Sequence, residues 1–416
     1  MNDRPVQLIL NDDMQRSRLS VFFRLLLAIP HLIWLALWGI LAGMAVIVNW
    51  FATLIAGRSP DGLHEFLAAY IRYAIHVTAY LLLAAEPFPD FLGKPGYPVD
   101  VTIAPSQPQN RWKVGFRIVL ALPAALIGGA LVSGSARSYG VNYGYGLAAA
   151  AAFLGWFAAL AQARLPRGLR DLIAYGLSYS AQLDAYLFLL TDVYPDSNPL
   201  TALTELPART DTIDLEVGGE LERSRVTVFF RLLLAIPHLI WVSLWGIAAF
   251  VALIVNWFAT LIAGASPPAL HDFLAAYVRY RTHVLAYLFL IAEPFPQFTG
   301  RPASYPIEPR IAEAREQSRW TVLFRAFLAL PAILLEGAYG SLLLVVALLG
   351  WFAGLATGRM PLGLRNAGAL ALRYSAQTDG YALLLTDAYP YSGPVRPPAG
   401  VPASLAATEP LAEPTV

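Results

Sequence analysis

The strongest constraint on this chain is that it repeats itself. Residues 16–91 return at 223–298, displaced by 207 positions, with 57 of 76 residues identical. Whatever the chain folds into must therefore be built twice. Each half holds a second, more diverged copy, visible as Arg111-Trp-Lys-Val-Gly-Phe-Arg117 ahead of Pro123 and as Arg319-Trp-Thr-Val-Leu-Phe-Arg325 ahead of Pro331. The four units share a skeleton: an Arg (24, 117, 231, 325), a Pro six residues later, Trp-Phe-Ala (from 50, 156, 257, 351), a Pro (60, 166, 267, 361), a Tyr (80, 186, 287, 381) and an acid (Glu86, Asp192, Glu293, Asp387). The chain divides into an N-terminal cytoplasmic segment 1–15, unit 1 at 16–105, unit 2 at 106–205, a linker with a short strand at 206–222, unit 3 at 223–308, unit 4 at 309–393, and a Pro/Ala-rich tail 394–416 read as disordered.

Composition says where such units can live. Charged residues are 14% of the chain against about 25% in a soluble protein, hydrophobic residues are 57%, and mean hydropathy is +0.54. These values point to a bilayer rather than to water. A net charge of +1 offers no field for nucleic acid, and the absence of Cys removes disulfides, thiolate metal sites and cysteine nucleophiles together. The first fifteen residues carry Asp3, Arg4, Asp12 and Asp13 and do not match a cleavable signal peptide. The lipid bilayer is the expected partner, with other membrane proteins behind it.

Leu19 to Gly57 is an apolar stretch of 39 residues in which Arg24, His31 and Asn49 are the strongly polar side chains. A single span needs about 20 residues, so the stretch is either one span plus an interfacial segment or a hairpin of two. Unit 2 gains 13 residues inside this stretch, around the polar Ser133–Gly146, and unit 4 carries Glu336-Gly-Ala-Tyr-Gly-Ser341 at the same place. Polar backbone cannot stay unpaired in hydrocarbon, so the middle is expected to turn in water near Trp38 to Ile40. The expected fold class is an all-α membrane protein of four repeated units. Each is a transmembrane helical hairpin plus an interfacial amphipathic helix with short extramembrane strands, giving eight transmembrane helices.

The strands are read at Pro5–Leu10, Tyr97–Ile103, Thr212–Val217 and Tyr305–Ile311, where apolar residues alternate; Pro309 makes the last a poor one. The amphipathic helix is Pro60–Ala85 in unit 1. Its polar stripe, Glu65, Arg72 and His76, returns as Asp272, Arg279 and His283 in unit 3, with Arg72 and His76 expected on the wet side. A third span is the alternative, which would leave these groups at awkward depth. On the hairpin reading, Arg137 is the only one of 29 basic residues on the tip side. The positive-inside rule then places both termini in the cytoplasm, in a multi-pass protein of the bacterial inner membrane, with Arg24 and its counterparts snorkelling to the headgroups.

Phe23-Arg24-Leu-Leu-Leu-Ala-Ile-Pro-His31, Trp50-Phe-Ala with Gly57-Arg-Ser-Pro60, and the ending Ala79-Tyr80 through Glu86-Pro-Phe-Pro89 resemble the bacterial family known as domain of unknown function 4389. So does Leu-Leu-Thr-Asp-x-Tyr-Pro at 189–195 and 384–390. The resemblance covers nearly all of 16–393 in four tandem units and implies an integral membrane protein of unassigned activity.

Chemical motifs are sparse. The six His are three positions duplicated, and His64 and His76 are twelve residues apart on one helix, about 18 Å, so no metal is expected. The repeated acid reads as a turn former rather than a catalytic group. No phosphate loop, nucleophile elbow or zinc protease motif is present, and neither enzyme activity nor a cofactor is expected. A structural or interaction module of the membrane is the leading reading, with a small-solute transporter or channel built from duplicated units as the alternative. The candidate intramembrane polar pairs are His31 with Asn49 and His238 with Asn256, present together in units 1 and 3 and replaced together by Ala and Gly in units 2 and 4. In a hairpin each pair sits at one depth and is expected to hydrogen-bond as an interhelical staple.

Overall fold

A computed structural model describes residues 4–132, 146–209 and 211–396. The first half runs β1 (Val6–Leu10), α1 (Arg18–Ala56), α2 (Asp61–Leu81), β2 (Val99–Ile103), α3 (Arg111–Gly115), α4 (Arg117–Val132), α5 (Leu147–Gln162) and α6 (Arg167–Leu187). The second runs β3 (Ile213–Val217), α7 (Arg225–Ala263), α8 (Pro268–Leu288), β4 (Ile307–Ile311), α9 (Arg319–Leu323), α10 (Arg325–Thr357) and α11 (Leu362–Ala382). The second half thus repeats the order of the first, with one helix, α10, standing where the first half has α4 and α5.

The expected hairpins are absent from units 1, 3 and 4. Ser17 caps the start of α1, its hydroxyl accepting the Ser20 N–H. The helix ends only at Gly57, in the left-handed region with φ 77°, whose N–H returns to the Thr53 carbonyl. Between them lie 39 unbroken helical residues, including Pro30 and the place where the turn was expected. Gly39 is not a turn former here. A Cβ at this position would stand 3.0 Å from the Tyr70 hydroxyl, so the glycine lets α2 approach. Gly246 plays the same part against Tyr277 in α7. In α10 the polar Glu336 stays helical because Arg281 and Ser375 satisfy it within the protein. The unit 2 insertion lies outside the described residues except for Gly146, as does the tail from 397 onward.

Among the described residues three helices, α1, α7 and α10, are therefore long and apolar enough to cross a membrane, in place of the eight spans expected. With no hairpin tip in units 1, 3 and 4, and with Arg137 outside the described residues, the 28-to-1 division of basic residues between two faces loses its basis. The buried residues of α1, among them Val21, Arg24, Ala28, His31, Leu35, Ala42 and Asn49, recur at spacings of three, four or seven positions and form one narrow stripe. Everything else along the helix that is exposed between Leu19 and Ala56 is apolar.

The elements stack in three layers. The stripe of α1 packs on α2, through His31 against Tyr73 and Trp38 against Tyr70 and Tyr73. On its far side α2 carries the antiparallel ribbon β1–β2, in which Val6 faces Ile103 and Leu10 faces Val99. The ribbon β3–β4 repeats this over α8 and α11, pairing Ile213 with Ile311. All four expected strands form. Pro309 is tolerated because the ladder bonds at its ends, Ala312 N–H to Thr212 and Gly218 N–H to Pro306, leave residue 309 at a position whose nitrogen points outward from a two-stranded edge.

The units stand in the order 1, 2, 4, 3: α2 meets α6, α10 meets both α4 and α5, and α11 meets α8. Where the halves join, each lends its C-terminal segment to the other. Tyr391 donates to Asp171 at the start of α6 at 2.9 Å, and Asn366 at the start of α11 donates to Asn198 at 3.1 Å.

Candidate functional site

The feature repeated in all four units is a buried arginine clamp. Arg24 lies one and a half turns into α1, under the last turn of α2, and is 2% exposed. Its Nη1 donates to the carbonyls of Tyr80 and Ala85 at 2.8 and 2.9 Å, its Nη2 is paired with Glu86, and its guanidinium lies 4.4 Å from the Tyr80 ring centroid. Glu86 in turn accepts the N–H of Ser17 at the start of α1. One carboxylate thus ties a helix start to an arginine that holds the end of the neighbouring helix.

Arg231 repeats this with Tyr287, Ala292 and Glu293, and Arg325 with Tyr381, Thr386 and Asp387. Arg117 uses Thr191, Asp192 at 3.0 Å and the Tyr186 ring at 4.1 Å. Units 2 and 4 add a glutamine, Gln109 or Gln317, which accepts from the guanidinium and donates to the carbonyl of Leu189 or Leu384. These arginines are not snorkelling cations, and the acid does more than form a turn. Their fixed spacing from the Tyr and the acid in every unit was the signal available in the sequence. Carbonyls left free at the end of a helix need donors, and a planar guanidinium can serve several at once.

The expected pairs of His31 with Asn49 and His238 with Asn256 do not form. Each pair lies on a single unbroken helix, 18 residues or about 27 Å apart. His31 Nδ1 is 2.8 Å from the Tyr73 hydroxyl, with its ring against Phe88 and Phe91, and His238 repeats this with Tyr280, Phe295 and Phe298. Asn49 donates to the Phe188 carbonyl of unit 2 at 2.9 Å and accepts from Ser59 and Thr53, closing the end of α1 onto its neighbour. Asn256 does the same with Leu383, Ser266 and Thr260. The joint presence of His and Asn in units 1 and 3 reflects two separate seams.

The polar stripe of α2 is likewise not a wet face. Glu65 is exposed, but Arg72 is half-buried and His76 fully buried. His76 Nε2 is 3.0 Å from Asp100 of β2, and Arg72 donates to the Val101 carbonyl, so the stripe is the seat of the ribbon. In unit 3, Asp272 is exposed while Arg279 and His283 meet Glu308 of β4. Burial acts to raise the Asp100 pKa. Hydrogen bonds from His76 and from the Gly96 and Val101 amides outweigh it and hold the carboxyl below its ordinary value.

The second half carries an ionic group built across α8, α10 and α11. Arg281 of α8 is paired with Asp379 of α11 and with Glu336 of α10 at 3.4 Å, and donates to Ser375 at 3.0 Å. Unit 1 has Ala74 where unit 3 has Arg281. Burial raises Asp379 to about 6 against the opposing pull of Arg281. Among the described residues, no group of three or more His, Asp and Glu is arranged to hold a metal ion. The clamps, seams and ionic group tie helices and their ends to neighbouring helices through buried and half-buried side chains.

The family described as domain of unknown function (DUF4389) matches the chain at residues 18–93, 225–299 and 319–392, which are units 1, 3 and 4; the match does not extend to unit 2. No curated protein and no solved structure matches the chain.

Proposed function

Because the chain belongs to the DUF4389 family, whose description names no activity, we propose its role from its surfaces: a non-enzymatic structural or interaction module of the bacterial cytoplasmic membrane. The observation that carries this reading is the exposed surface of α1 and α7. Leu25, Ile55, Leu232 and Ile262 are each more than 70% exposed, and Ser243 is the one polar residue exposed between Val226 and Ala263. Soluble monomers rarely expose contiguous apolar patches beyond a few hundred Å², and hydrocarbon is the solvent that suits this one. The ribbons and the helices beneath them carry the polar surface, with exposed basic side chains such as Arg18, Arg58 and Lys94 beside it; on the positive-inside rule this surface faces the cytoplasm together with both termini and is available to other membrane proteins.

The test is fractionation of the full chain followed by reporter fusions at each terminus. The protein should stay in the membrane pellet through alkaline carbonate washing, and both fusions should report a cytoplasmic location. Release into the supernatant would sink the membrane assignment, and an external terminus would overturn the orientation.

A further inference from the structure

We infer that α1 and α7 do not cross the bilayer but lie lengthwise within one leaflet, both seated in the membrane from the side of their ribbons. The inference rests on the membrane reading above and adds a geometry to it. A helix of 39 residues rises about 58 Å, nearly twice the roughly 30 Å of hydrocarbon in a bilayer.

Both ends of α1 are tied to the same ribbon. Its N-cap Ser17 follows the end of β1 by seven residues. At its other end the Gly57 carbonyl accepts the N–H of Gln109, which follows the end of β2 by six. At no more than about 3.5 Å per residue, these tethers reach about 25 and 21 Å. The ribbon must therefore stand beside the middle of the helix, not beyond either end.

If α1 crossed the bilayer, this ribbon would lie at mid-depth. The buried His76–Asp100 pair, the exposed Thr102 and the half-buried Gln7 would lie there with it, among acyl chains. With α1 parallel to the surface the ribbon is in water and the exposed apolar side of α1 faces the lipid. A single helical layer is about 10 Å thick, which fits within one leaflet. The second half repeats the tethers: Ser224 follows the end of β3 by seven residues, and the Gly264 carbonyl accepts from Gln317, six after β4. The occupant of the apolar face is thus the acyl chains of the leaflet nearest the ribbons.

The chain has no native cysteine, so single cysteines can be placed in the whole protein. Leu25→Cys, Ile40→Cys and Ile55→Cys put a fluorescent label at successive exposed points along α1. In phospholipid vesicles carrying nitroxides near the headgroup or near the chain end, all three labels should show the same depth. Arg18→Cys and Arg58→Cys, at the two ends of the helix, should react with an impermeant maleimide from the same side, in inverted vesicles but not in intact cells. Labels at Leu25 and Ile55 in opposite leaflets, or helix ends reacting from opposite sides, would overturn the in-plane seat and leave membrane embedding intact. Absence of quenching by any lipid nitroxide would overturn both.

Discussion

At the level of single residues, the chain is held by side chains that close helix ends. Arg24 supplies donors to two buried carbonyls and a partner to Glu86, and is itself all but excluded from water while the carboxylate reaches the surface. Removing one partner of a buried ion pair costs about 3–5 kcal/mol, and the freed carbonyls add to the loss. Arg24→Ala is therefore expected to destabilise the protein by at least about 3 kcal/mol. Arg24→Lys should recover only part of this, since an ammonium cannot reach the carbonyls and the carboxylate in one plane. Denaturation in mixed micelles measures both, and a cost of less than about 1 kcal/mol, the value of a surface pair, would show that the clamp is ornamental.

Elements are joined by the same economy of polar contacts. The ribbon β1–β2 sits on α2 through His76, which meets Asp100, and Arg72, which donates to the Val101 carbonyl and lies 3.5 Å from the same carboxylate. Its pKa is depressed in the folded state, so its contribution to stability is present above the unfolded carboxyl value. It is lost as pH falls through the folded one. Acid unfolding should therefore steepen below about pH 4, and Asp100→Asn should flatten that limb; an unchanged limb in the variant would refute the assignment.

What could be read from the sequence follows the same division. Val99, Val101 and Ile103 alternate and form a strand, because a two-stranded ribbon on one face needs only a period of two. The hairpin failed because the polar insertion of unit 2 and Glu336-Gly-Ala-Tyr-Gly-Ser341 of unit 4 argue locally for a turn, whereas Gly39 and Glu336 both stay helical. Their reasons, a tyrosine hydroxyl and an arginine, come from helices about thirty to fifty-five residues away. The spacing of Arg72 and His76 sets them on one helical face, but only the structure shows that face covered by β2. The arginines were located and misassigned, because nothing local tells a guanidinium bound for headgroups from one bound for carbonyls.

At the scale of the molecule, units 2 and 4 form the centre and units 1 and 3 the flanks. The centre is joined by α10 against α4 and α5 and by the exchange of Asp171–Tyr391 and Asn198–Asn366 contacts. Residues 1–205 and 206–416 expressed as separate chains should copurify from membranes. Asp171→Ala combined with Asn366→Ala should reduce recovery of the complex several-fold. Recovery of neither half in the pair would mean that the link at 205–206 is required for assembly and would refute the prediction.

The near identity of the two flanks sets a problem of timing. Asn49 closes α1 onto Phe188, and Asn256 closes α7 onto Leu383 by the same bond, so the seat of one long helix does not discriminate against the other. A chain released all at once could exchange them. Synthesis from the N-terminus removes that choice, because α1, its ribbon and unit 2 can all emerge and close before the first residue of α7 is made. Short connections such as 218–224 then keep α7 close to its own ribbon. Correct pairing of the copies is in this sense a matter of birth order, written into the vectorial growth of the chain.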